Sequence, residues 1–187
     1  MDAFSYLSVL ISIVLGLGIT QLLTGLGRLL QARAGTRLYA PAVTWIALLL
    51  LIHVQTWWTM FGLRGVRAWS FGAFLIVLLQ PSVLYLMAAL AVPDVAAGAP
   101  VDLRANYFAH ARPFFALAVV LLVVSVAKDL VLDGRLPVPL NLAAHVAFLA
   151  LWGAAAVTRR ETYHRLVAPT TLVIFAGYVV VLFARLR

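Results

Sequence analysis

The stretch LLIHVQTWWTMF, residues 50–61, sets a histidine, a glutamine and two threonines among leucines, tryptophans and a phenylalanine. From Ala40 to Leu63 there is no charged residue; Arg64 is the first. At about 1.5 Å of rise per residue such a run is long enough to cross the roughly 30 Å hydrocarbon core of a bilayer as a helix. The stretch therefore predicts a membrane span that carries polar side chains at depth. Hydrocarbon solvates neither imidazole nor carboxamide, so these groups are expected to turn toward protein or water.

The same pattern extends outward in both directions. The chain has 187 residues, of which 65% are hydrophobic and only 11% charged, against about half and a quarter in soluble domains. Its mean hydropathy is +1.06. Apolar runs bounded by Arg, Pro and Gly predict six helices, at about residues 4–30, 40–63, 70–92, 113–132, 138–158 and 167–185. The fold class is thus all-α, a polytopic integral membrane protein forming a single transmembrane domain over 1–187. Runs such as FALAVVLLVVSVA do not alternate as barrel strands do. The segment 93–112 is the longest connection and divides the chain into two three-helix halves, whose odd helix number implies inverted topology. The first span lacks a basic n-region and is expected to be retained rather than cleaved as a signal peptide.

A net charge of +8 raises the question of nucleic acid, but the basic residues cap apolar runs and form no patch, so lipid is the expected partner and nucleic acid is not. The absence of cysteine removes disulfides, thiolate metal sites and thiol chemistry. The first, third and fifth connections hold Arg28, Arg33, Arg37, Arg104, Arg112, Arg159, Arg160 and Arg165; the other side holds Arg64, Arg67, Lys128, Arg135, Arg185 and Arg187. Around the first helix the bias is sharpest, because three arginines follow it and only Asp2 precedes it. The positive-inside rule then places both termini outside the cytoplasm, with anionic lipids at the Arg-rich loops. The bacterial inner (plasma) membrane is the expected location, and no motif names a family.

Polar residues inside the spans are the candidate site. In the second helix His53, Thr56 and Met60 fall on one side, with Gln55, Thr59 and Thr44 nearly opposite, which makes this helix central or an interface element. Trp57, Trp58 and Trp69 are expected as headgroup anchors. In the first helix Ser8, Ser12, Gly16, Thr20, Thr24 and Arg28 recur every four residues, broadened by Gly18, Gln21 and Gly25. Small residues so spaced predict a close helix-packing seam and association of the chain with copies of itself. In the third helix Gln80, Pro81 and Ser82 lie near the midpoint, where proline frees the carbonyl of Val77. Lys128 and Asp129 are expected to snorkel to the interface.

Gln21, His53, Gln55, Thr56, Thr59, Gln80 and Ser82 thus form the predicted pathway of an ion or small solute through a channel or transporter, in which His53 can gate by pH. One alternative is a non-catalytic scaffold or subunit whose polar groups only fix packing. A second is a haem b protein with His53 and His145 as axial ligands, since their depths differ by only about 5 Å. No Walker loop, nucleophile elbow, Rossmann fingerprint, HExxH or carboxylate pair is present, so no enzyme activity, metal or other cofactor is expected.

Overall fold

The computed structural model describes residues 3–66, 68–94 and 100–183. Asp2, Arg67, Arg185 and Arg187, which enter the charge balance above, lie outside them. Six helices form, α1 (Ala3–Gln31), α2 (Ala40–Thr59), α3 (Phe71–Ala91), α4 (Leu103–Asp133), α5 (Pro139–Val157) and α6 (Glu161–Phe183). All six are long and apolar enough to cross a membrane, and the protein is an all-α polytopic membrane protein.

Local chemistry sets the ends. Ser70 caps α3 by accepting the Ala73 N–H at 3.1 Å, and Asp102 caps α4 by accepting that of Ala105 at 2.9 Å. Prolines in the first turn open α2 and α5, where no N–H partner is lost. Gly134, at φ 66°, ends α4 in the left-handed conformation that glycine adopts without strain. A two-residue ladder, β1 (Thr36–Arg37) parallel to β2 (Val101–Asp102), ties the first connection to the third.

Two helices begin earlier than hydropathy predicts. α4 starts at Leu103 rather than 113, because LRANYFAHAR is amphipathic: Leu103, Tyr107 and Ala111 are buried while Arg104, Ala105 and Arg112 are exposed. Likewise α6 starts at Glu161 rather than 167, through the polar turn ETYHRL that buries only His164. Pro113, the expected start of the fourth span, lies inside α4, and Pro169 lies inside α6.

α1 packs on α2 and α3, α3 on α4, α4 on α5, α5 on α6, and α6 closes back on α2, which also meets α3 and α4. The halves therefore share one bundle, with α2 against four neighbours. The face α1 turns inward is Ile11, Leu15, Gly18, Leu22, Gly25 and Leu29, alternating steps of four and three. Within the chain this inward face includes Gly18 and Gly25 but not the residues spaced at intervals of four. A strict four-residue step drifts around the helix, so Thr20 and Thr24 come out exposed and Gly16 has open space beside it. The glycines that do permit close approach are Gly18, against the ring of fully buried His53, and Gly25, against Val92.

A methyl group at Gly18 would run into Nε2 and Cδ2 of His53. Gly18→Ala is therefore expected to destabilise the detergent-solubilised protein by about 1–3 kcal/mol. Combining it with His53→Ala should recover part of that loss. A double-mutant cycle of thermal unfolding reads the coupling, and purely additive effects would mean that the two residues are not in contact.

Candidate functional site

Polar residues from five of the spans meet in a cavity of about 60 Å³ between α2, α3, α4, α5 and α6. Its polar lining is Gln55 and Thr56 from α2, Gln80 from α3, Ser125 from α4, His145 from α5 and Tyr178 from α6. Ile52, Gln55 and Thr56 stand at i, i+3 and i+4, so one face of α2 carries all three.

Most of the lining is fixed by hydrogen bonds. His145 Nδ1 lies 2.8 Å from the Asn141 carbonyl, to which it can only donate, so Nε2 accepts from the Ser125 hydroxyl at 3.0 Å. The Tyr178 hydroxyl donates to Asn141 Oδ1 at 3.0 Å. Lys128 Nζ donates to Gln80 Oε1 at 3.1 Å. That contact corrects the expectation that Lys128 snorkels outward. α4 lies against α3, and the Gln80 amide, held at mid-helix, offers the ammonium a closer acceptor than the membrane surface does. Two groups remain open. Thr56 Oγ1 is buried without a hydrogen-bond partner, and the Gln55 amide has none among the described residues. A buried hydroxyl left unpaired costs about 1–3 kcal/mol, whereas a cavity admits a water once it offers roughly 10–15 Å³.

Toward the Arg-rich end the cavity is closed by aromatic rings. Trp152, in its wall, donates Nε1–H to Thr171 Oγ1 at 3.2 Å and meets Trp45 edge-on at 6.0 Å between centroids. Trp45 in turn packs against Phe114 and Phe115 at 5.2 and 5.3 Å. Beyond this plug lies a small void of about 20 Å³ lined in part by Trp45 and His110, and then a surface pocket of about 290 Å³ that shares His110. At this end Arg104 and Arg165 both bind Glu161, at 2.6 and 2.8 Å, and buried His164 joins the Tyr107 hydroxyl to the Thr158 carbonyl. The Ala105 N–H, aided by Arg37, holds the Asp102 carboxyl below its ordinary range.

The residues predicted as one pathway separate into groups. Gln55, Thr56 and Gln80 share the cavity. Gln21 lines the 290 Å³ surface pocket with Thr24, Gly25 and Arg28. Thr59 bonds the Thr56 carbonyl and Ser82 that of Leu78, each back to its own helix. Ser8 and Ser12 line a groove of about 370 Å³ with Trp57 and Trp58 at the opposite end. His53 leaves the group altogether: Nδ1 donates to the Leu49 carbonyl at 2.7 Å and the ring packs on Gly18 of α1, 60° around the helix from Thr56 by helical geometry.

Haem does not fit these histidines. Nε2 of His53 is shut against α1, whereas Nε2 of His145 is taken up by Ser125 on α4, so the two lone pairs address different neighbours. Sequence reasoning missed Ser125, Lys128, Asn141 and Tyr178 as members of the cluster. The available signal was spacing: Ser125, Lys128 and Asp129 at i, i+3 and i+4, and Asn141 with His145 at i and i+4.

Bundle and cavity together define a six-span membrane protein with a partly open cavity between its helices, to which five helices contribute polar side chains. No family model, curated protein or solved structure matches the chain.

Removing the acceptor should cost more than removing the cation, because Gln80→Leu strands an ammonium in the bundle. Gln80→Leu is expected to lose about 1–3 kcal/mol of stability, and Lys128→Met distinctly less. Thermal unfolding of the two variants in one detergent checks the order. A harmless Gln80→Leu would mean that Lys128 reaches the membrane surface after all.

Proposed function

We propose that the protein passes a small polar solute or ion through the bundle by way of this cavity, as a channel or carrier without enzymatic chemistry. The observation that supports it most is a cavity lined from five helices by polar side chains, among them Thr56, whose hydroxyl is buried without a partner, and the unbonded Gln55 amide. Bundles that only pack their helices have no need to keep such groups open, since a hydroxyl can bond back to its own helix as Thr59 and Ser82 do. The cavities along the bundle, interrupted at Trp45 and Trp152, correspond to a closed path with a barrier on the Arg-rich side. Opening then requires the rings to part.

The same proposal extends to setting. Arg28, Arg33, Arg37, Arg104, Arg159, Arg160 and Arg165 cluster at the ends joined by the first, third and fifth connections. That favours a bacterial inner membrane with this end in the cytoplasm, in contact with anionic lipid, and with both termini outside. The outer face of α1, where Gly16, Thr20 and Thr24 leave room for another backbone, is the proposed contact between copies of the chain.

Reconstituted vesicles test the passage. Among chloride, formate, potassium, urea and glycerol, at least one solute should cross faster than through protein-free vesicles. Gln55→Leu and Thr56→Val should cut that rate at least tenfold while the protein still accumulates in the membrane. If no solute moves, or if both variants keep full flux, the cavity is not a path.

A further inference from the structure

The lining of the cavity is not electrically even. Gln80 already accepts from Lys128 through Oε1, which leaves its NH₂ as the end available to an occupant. A carboxamide whose oxygen is bound to an ammonium is polarised, so that NH₂ becomes a stronger donor. Thr56, across from it on α2, brings a hydroxyl with no acceptor of its own. On the α5 side the Ser125 proton is already given to His145 Nε2, so that pair has no donor left for an occupant. The α2 and α3 walls therefore present donors, with a cation standing directly behind them.

Two carboxylates bear on Lys128. Asp129 and Asp133 act on it through space, but neither forms an ion pair with it among the described residues. Asp129 follows Lys128 on α4, about 100° around the helix.

Resting on the passage proposed above, we propose that the Thr56–Gln80 corner is an anion site, which takes a small monovalent anion of the size of chloride or formate. Lys128 supplies its charge through the Gln80 amide, and Asp129 is the opposing charge that limits its affinity. A cavity of about 60 Å³ suits such an ion with little accompanying water. Donors fixed in advance need no reorganisation when the anion arrives, and a bundle interior strengthens each contact relative to water.

Chloride-35 NMR line broadening with the purified full chain tests this directly, with formate as competitor. Surface arginines also broaden the chloride line, so the site is read as the part that differs between variants. Gln80→Glu keeps the contact with Lys128 as an ion pair and cancels its charge. It is expected to remove at least four-fifths of the formate-displaceable broadening at unchanged thermal stability. Thr56→Val should weaken chloride binding about fivefold, with Thr56→Ser restoring it, whereas Asp129→Asn should tighten it threefold or more. Equal broadening in the wild type and Gln80→Glu, or weaker binding in Asp129→Asn, would overturn the anion site. The two proposals fail separately. Chloride that binds but never crosses a vesicle sinks the passage and keeps the site. Flux of potassium, urea or glycerol that depends on Gln55, without formate-displaceable chloride broadening, sinks the site and keeps the passage.

Discussion

Hydrocarbon offers no hydrogen bonds, and that single fact orders the polar side chains of this protein. Many polar residues within α2–α6 bond to their own helix, pair with a neighbour or face the shared cavity. Thr44, Thr59, Ser82 and His53 take the first course, each within 3.0 Å of a carbonyl three or four residues back. Ser125, Lys128, Asn141, Tyr178 and His145 take the second, joining α4 to α3, α5 to α4 and α6 to α5. Thr56 and Gln55 are left for the third. The outward surface is correspondingly apolar, with Leu17, Val54, Val123 and Val173 among its exposed side chains.

Close backbone packing makes the chamber possible. α2 can stand against four helices because α1 approaches it at Gly18, and that approach takes up His53 as a packing element. The wide buried arc of α2 then carries Trp45 and Ile52 inward and brings Thr56 to the cavity edge. Trp45, Trp152, Phe114 and Phe115 pack edge-to-face in the Arg-rich half and separate the cavity from the void and surface pocket at that end. The asymmetry of the molecule, an aromatic plug at one end and an amide-rich chamber toward the other, follows from where two tryptophans fall on α2 and α5.

Much of this was legible in the sequence, for identifiable reasons. Uninterrupted apolar length gave all six helices, since nothing but a helix satisfies its backbone over such runs. It misplaced the starts of α4 and α6 because their first turns lie among polar partners, Arg104 with Glu161 and Tyr107 with His164, and hydropathy registers no pairing across 57 residues. Helical angles grouped Gln55 and Thr56 on opposite sides, whereas buried Thr56 and half-buried Gln55 both line the cavity. Lys128 could not be assigned from sequence because its stem reaches either the surface or Gln80, and the choice depends on α3 lying alongside. His53 looked functional for being a buried histidine; a glycine opposite it, 35 positions earlier, is what makes it structural.

The central claim is that the face of a helix, and not its depth, decides which side chains meet water. Because the chain has no cysteine, a single introduced thiol would be its only one. Val54 and Gln55 are neighbours at nearly the same depth, the first 54% exposed on the outward surface and the second lining the chamber. Thiols react with charged methanethiosulfonates as thiolates, which need water. In vesicles, Gln55→Cys should be modified at least tenfold faster than Val54→Cys. Equal rates, or a faster reaction at position 54, would contradict the account.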